Sequence, residues 1–324
     1  MTDVDLGCSL LLLSIVVVAG IAYAIRVAIA GAVRNARVDA VGPSPLLSKS
    51  VMEMAYWVLD PVARACVRVG LSANGVTAIA LAIGAFAGVA LALGHFGVAA
   101  LATTVASLGD AIDGLVARKT GTVSKSGALF DASVDRYEEF FFFAGLAFWY
   151  HTDHLGLGLV LAAVLGSFMI SYGSAKAEGF QVKPPRGAMR REARAVYLGA
   201  GAFLTPLAAA LASRVGVAWI ANAPMLGALA FVGVIANVSA VRRLRLVGAA
   251  ADEKAAANAA EEAAKTAGSE TASDASAVDP ANEADPDADQ NAQTQASPAG
   301  LPSRALGKST RGAPTQRPRD IVGP

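Results

Sequence analysis

The chain has 324 residues, 54% of them hydrophobic and only 16% charged, where a soluble domain carries roughly 25% charged residues. Its formal net charge of +1 gives no sign of a nucleic-acid or acidic partner. Two cysteines, Cys8 and Cys66, supply neither a disulfide framework nor a metal-ligand spacing, so composition excludes a disulfide scaffold and a zinc module and points to a bilayer.

Charge-free runs long enough to cross a membrane recur along the first three quarters of the chain, each needing about 20 apolar residues. Gly7 to Ile25 is the first, closed by Arg26. No basic residue precedes it, so residues 1–33 read as an N-terminal transmembrane anchor in preference to a cleaved signal peptide. Ser48 to Arg68 mixes Met52, Tyr56, Trp57 and Leu59 with Lys49, Glu53 and Arg64. That mixture predicts an amphipathic helix in the headgroup layer over 44–68, against the plainer reading of a soluble linker.

Val69 to Gly109 holds no Asp, Glu, Lys or Arg and is long enough for two helices, with Gly94-His95-Phe96-Gly97 as the turn between them. Gly127 to Tyr150 is a helix-length stretch that does carry charges; Leu155–Ala175, Ala195–Ser213 and Val215–Val241 are three further apolar runs. The predicted fold is an all-α integral membrane protein: a six-helix transmembrane bundle over 69–246, preceded by the anchor and the interfacial helix. From Ala249 the chain is rich in Ala, Glu, Asp, Ser and Pro, which predicts a disordered tail over 249–324. Ala255 to Ala264 is helix-prone but too short to hold alone in water.

Basic residues alternate in side. Arg34, Arg37, Lys49, Arg64 and Arg68 precede the bundle, Arg118, Lys119 and Lys125 follow its second span, and Lys176 to Arg194 and Arg242 to Arg245 complete the same side. The opposite loops hold His95, then His151 and His154, then Arg214. The positive-inside rule then places the basic end and the tail in the cytoplasm and the N-terminus outside, in an inner or plasma membrane of bacterial type. The three histidines read as interfacial residues, with a metal site there as the alternative.

Ionisable groups at the ends of spans are candidates for function. Asp110 and Asp113 are three apart, Asp131 and Asp135 four apart, so each pair shares a helical face. A short loop between the two helices can gather four carboxylates, an arrangement that calls for cations, and oxygen-only ligands select hard ions such as Mg²⁺ or Mn²⁺. A carboxylate pair on each side suits two ions. Gly114 and Gly127 permit close approach of a ligand to the backbone, Ala117 continues that small-residue face, and Arg118 offers a positive fork to a phosphate or carbonyl. Close helix packing is the competing use of such small residues.

The stretch Asp110-x2-Asp113-Gly114-x2-Ala117-Arg118-x8-Gly127-x3-Asp131-x3-Asp135 resembles the signature of the CDP-alcohol phosphatidyltransferase family at every fixed position. The likeness covers Leu71 to Arg245. It implies a membrane enzyme, acting as a homodimer, that transfers a phosphatidyl group from a CDP-linked lipid such as CDP-diacylglycerol to an alcohol and releases CMP. By that resemblance Asp110, Asp113 and Asp131 bind the metals, Asp135 lies near the second ion and serves as general base, and Gly114, Ala117, Arg118 and Gly127 hold the cytidine diphosphate. One departure is Leu71-Ser72-Ala73-Asn74, where the family often has Pro before Asn; a local change in that helix start is expected.

For the acceptor alcohol, Lys176 ends one span and Gly187-x3-Arg191-x2-Arg194 opens the next. Lys176, Arg191 and Arg194 suit a phosphate-bearing acceptor, and the spacing is similar to the phosphatidylinositol phosphate synthase branch. Glycerol 3-phosphate is the alternative acceptor, and the positive-inside rule alone would also explain the charges. A different class, a divalent-cation transporter, would place its carboxylates near the bilayer midplane.

Overall fold

The computed structural model describes residues 3–31, 48–183, 187 and 189–276. Among these all regular structure is helical. Eight α-helices follow in order: α1 Asp3–Ala30, α2 Lys49–Arg68, α3 Ala73–Ala92, α4 Phe96–Thr120, α5 Lys125–Trp149, α6 His154–Gly179, α7 Arg191–Val215 and α8 Ala223–Ser276, with a 3₁₀ turn at Ala218–Ala221. By contacts the chain divides into residues 1–265 and 266–324, and all packing described below lies in the first unit.

Six helices, α1, α3, α4, α6, α7 and α8, are long and apolar enough to span a bilayer, and the protein is an integral membrane protein. Its surface carries large apolar side chains such as Val17, Phe86, Leu161 and Val238, as expected where the solvent is lipid. The charged α5 matches its neighbours at 25 residues and packs closely on α3. A Cβ added at Gly88 would strike the Phe141 carbonyl, and one at Gly145 would strike that of Gly88, so these glycines allow the backbones to meet. α8 seats on α6 and α7 in the same manner: a Cβ at Gly166 would lie 2.8 Å from that of Ala236, and one at Gly201 2.7 Å from that of Ala228. The Asn237 amide adds a hydrogen bond to the Ala162 carbonyl at 2.8 Å.

Local chemistry sets the helix ends near the acidic residues. The Ser72 hydroxyl accepts from the Gly75 N–H at 3.1 Å and caps α3, supplying locally what the missing proline would have set. Gly121, in the left-handed region at φ 68°, terminates α4. Three residues later the Ser124 hydroxyl caps α5 by accepting from the Gly127 N–H at 3.0 Å. This tight reversal brings the acidic end of α4 beside that of α5.

The amphipathic α2 buries Leu59 and Ala63 in a cluster with Val76, Leu115 and Val116. It is also tied to α4 by an ion pair from Lys119 to Asp60 at 2.7 Å. The hydrogen bond from Lys119 holds the Asp60 carboxyl below its ordinary value of 3.8. A carboxyl depressed in the folded state contributes stability above its unfolded pKa and loses it as pH falls through the folded one. Asp60→Asn should therefore lower stability at neutral pH by about 0.2–1 kcal/mol, the range for half-exposed pairs. The difference should vanish in acid below the carboxylate range; thermal midpoints of both proteins across pH check this.

One expectation changes. The chain from Ala249 does not lose structure at once: α8 continues to Ser276. A span that is already helical removes the nucleation cost, so an Ala- and Glu-rich continuation need only propagate. Lys254 also donates to the carbonyls of Phe180 and Gln181 at 3.3 and 3.2 Å, fastening this extension to the end of α6. Residues 44–47 of the interfacial helix expectation and 277–324 of the tail lie outside the described residues.

Candidate active site

The α4–α5 reversal delivers carboxylate oxygens of Asp110, Asp113 and Asp131 to within 4.8 Å of one another. Asp113 is buried and held by the Thr77 hydroxyl of α3, which donates to it at 2.6 Å. Asp135, one turn along α5 from Asp131, takes a different partner: Arg191 of α7 places Nη1 2.6 Å from its Oδ1. The same Nη1 lies 2.7 Å from Asp110 Oδ2, and Nη2 lies 3.4 Å from Glu138 Oε2. One guanidinium thus faces three carboxylates, with two more beside it, and this leaves a surplus of negative charge.

Like charges at such separations in a partly dry site repel strongly. Asp110 Oδ1 is buried and accepts no hydrogen bond from the described residues. An all-oxygen set with a free lone pair fits a hard divalent cation, so Asp110, Asp113 and Asp131 are competent to hold one.

The acids open onto a cavity of about 750 Å³. Asp110, Asp131, Asp135, Gly114, Arg118 and Arg191 line one part; the remaining walls, from α1, α2, α4 and α7, are mainly apolar, with Thr103, Thr104, Ser107 and Glu192 among them. Gly114 is not a helix-packing glycine: a Cβ there would meet only the Arg118 guanidinium, 3.1 Å from Nη1. At Gly127 it would meet Ser124 Oγ at 3.0 Å and then Asn74 Oδ1 at 3.8 Å. Both glycines therefore leave room beside the acids for a ligand rather than for a neighbouring backbone. Ala117, half-buried, continues that face one turn on.

The three basic residues expected to share an acceptor pocket go to three places. Arg191 faces the acids. Arg194 is 1% exposed, bonds Glu139 through Nε and Nη2 at 2.7 and 3.0 Å and donates to the Met189 carbonyl at 3.3 Å. Lys176 is exposed, its Nζ 5.4 Å from the centre of the Tyr172 ring. Sequence reasoning missed Glu138 and Glu139, although they continue the face of Asp131 and Asp135 at helical spacing. It also counted Arg243 only as a basic flank. Arg243 donates to Ser174, approaches Gly187 so that a Cβ there would lie 3.0 Å from Nη2, and buries an Nε that has no acceptor among the described residues.

A helical membrane bundle with a carboxylate cluster competent to hold a hard cation, beside a cavity with mainly apolar walls, suits chemistry carried out where lipid chains meet polar headgroups. The profile of the CDP-alcohol phosphatidyltransferase family matches residues 70–223, from the start of α3 to the start of α8. The phosphatidylinositol phosphate synthase of Mycobacterium marinum is 31% identical over 165 residues, 49% of this chain and 68% of its own length. That of Mycolicibacterium smegmatis is 33% identical over 153 residues, 45% and 68% respectively. The crystal structure of the Mycobacterium tuberculosis phosphatidylinositol phosphate synthase with CDP-DAG bound superposes with a TM-score of 0.51 at 25% identity, covering 59% of this chain and 93% of that one. The same enzyme in complex with manganese and citrate gives 0.51 at 26%, covering 58% and 88%. The chain belongs to the CDP-alcohol phosphatidyltransferase family.

Proposed function

We propose that this protein transfers the phosphatidyl group of CDP-diacylglycerol to a hydroxyl of a phosphate-bearing polyol such as inositol phosphate, releasing CMP. The observation that carries this reading is the cavity that joins the acid cluster and Arg118 to mainly apolar walls, so one molecule can present a pyrophosphate and a lipid chain together. The acceptor hydroxyl oxygen forms a bond to the lipid-side phosphorus, the bond from that phosphorus to the CMP oxygen breaks, and the hydroxyl proton passes to Asp135. Arg191 orients the Asp135 carboxylate, while Gly114, Ala117, Arg118 and Gly127 surround the cytidine diphosphate. Mg²⁺ or Mn²⁺, two ions in this reading, held by Asp110, Asp113 and Asp131 with Asp135 beside the second, would neutralise charge on the departing CMP. The site faces the cytoplasm with the N-terminus outside, by the distribution of Lys and Arg, and the protein acts as a homodimer.

For the acceptor phosphate the geometry supports Arg243, with Ser174 and Gly187 beside it, rather than Arg194, whose guanidinium is committed to Glu139. Arg243 is a partly buried cation that pairs with no carboxylate among the described residues, and such a group calls for an anion. Lys176 stands at the same end of α6 as Ser174. The relatives named phosphatidylinositol phosphate synthase favour inositol phosphate over glycerol 3-phosphate. The match of residues 70–223 to the family profile counts against a divalent-cation transporter.

Purified protein supplied with CDP-diacylglycerol, Mg²⁺ or Mn²⁺ and a panel of alcohols tests the reading by CMP release. Inositol phosphate should be fastest and glycerol 3-phosphate slower; serine as the preferred acceptor would overturn it. Arg243→Ala should raise KM for the phosphorylated acceptor about 10–100-fold, the loss of a charge-assisted pair. KM for the CDP-lipid should move far less, and equal changes in the two would remove Arg243 from the acceptor pocket.

A further inference from the structure

α1 lies wholly outside the segment matched by the family, residues 70–223, and its composition is that of a plain anchor. Its contacts are not. Asp5 is fully buried and accepts from the backbone N–H groups of Gly97 and Val98 at 3.2 and 3.5 Å. It thereby caps α4, whose own N-cap residue His95 makes no side-chain capping bond. His95 Nδ1 lies 3.2 Å from the other Asp5 oxygen. One turn on, the fully buried Ser9 hydroxyl donates to the Phe203 carbonyl of α7 at 3.0 Å. Near its other end, Tyr23 donates to Glu53 of α2 at 3.4 Å and its ring centre lies 5.9 Å from that of Trp57.

Polar groups buried at membrane depth are costly unless paired, so these contacts fix the rotation of α1 about its axis. Asp5, Ser9, Leu12, Val16 and Tyr23 follow the spacing of one helical face. Between the fastenings at Ser9 and Tyr23, Leu12 packs in part against the core while Val16 stays exposed. Leu12, Leu13 and Val16 line the cavity that also holds Asp110, Asp131 and Arg118.

We infer that α1 is a wall of the lipid-binding site, and that Leu12 and Val16 determine which acyl chains the enzyme accepts on its CDP-linked lipid. This rests on the reaction proposed above. A pyrophosphate at the acids leaves its lipid chain to run along the cavity, where the apolar side chains of α1 form one wall beside those of α2, α4 and α7. Residues 12–16 then act as a specificity-determining segment contributed by a helix that lies outside the family domain.

Two measurements decide it. In wild-type protein, a CDP-linked lipid with a photoactivatable group near the end of a palmitoyl chain should label α1 within residues 12–16, and excess CDP-diacylglycerol should suppress that labelling. In Val16→Trp, the ratio of kcat/KM for palmitoyl over octanoyl donors should fall about tenfold, the effect of excluding two methylenes from an apolar site. Val18→Trp, on the opposite, exposed side of α1, should leave that ratio unchanged. Labelling confined to other helices, or an unaltered ratio in Val16→Trp, would overturn the inference even if CMP release is robust. Absence of CMP release from every donor and acceptor would instead sink the reaction, whereas the labelling of α1 would be scored independently.

Discussion

Asp135→Asn should reduce CMP release about 10²–10⁴-fold, the contribution of a positioned general base. Helical content and membrane insertion should be kept. The substitution preserves size and leaves Arg191 with Asp110 and Glu138 as partners, so the guanidinium is not stranded. The loss should therefore fall on kcat, with little change in KM for the CDP-lipid. Undiminished turnover in this variant would take Asp135 out of the role of base and leave it as a charge that positions Arg191.

Arg194→Ala should destabilise the protein by about 3–5 kcal/mol, because it strands a buried carboxylate. Arg194 makes two bonds to Glu139 and one to the Met189 carbonyl, and these tie α7 to α5 close to the acid cluster. Replacing both partners, Arg194→Met with Glu139→Met, should recover most of the loss, since an apolar pair of similar volume leaves no charge buried alone. Thermal midpoints in detergent measure both variants. A stable Arg194→Ala protein with a selective rise in acceptor KM would contradict the structural role and return Arg194 to the acceptor pocket.

The two variants separate residues that look equivalent in the sequence. Asp131 and Asp135 share a helical face, as do Arg191 and Arg194, and spacing treats each pair alike. The structure divides them. Asp131 joins the cluster with Asp110 and Asp113, while Asp135 is met by Arg191, a residue on a different span. Arg191 turns to the acids, and Arg194 turns away to Glu139. Arg243, read only as a basic flank, sits against Ser174 instead, 69 residues away in the chain.

The all-helical membrane fold and the presence of an acidic centre could be read from residue order alone, because both rest on local rules. Hydropathy over a span's length reports the bilayer, and separations of three and four report a shared helical face. The end of α8 escaped those rules, because its helix is inherited from the span before it. Pairing escaped them altogether: Ser9 and Phe203 are 194 residues apart, Asp110 and Arg191 are 81 apart, and no local pattern records which partners meet. α1 shows the difference most clearly, since its composition specifies only a membrane helix. Its place at the edge of the cavity is decided by a buried carboxylate and a buried hydroxyl finding backbone partners on α4 and α7, where lipid offers them none.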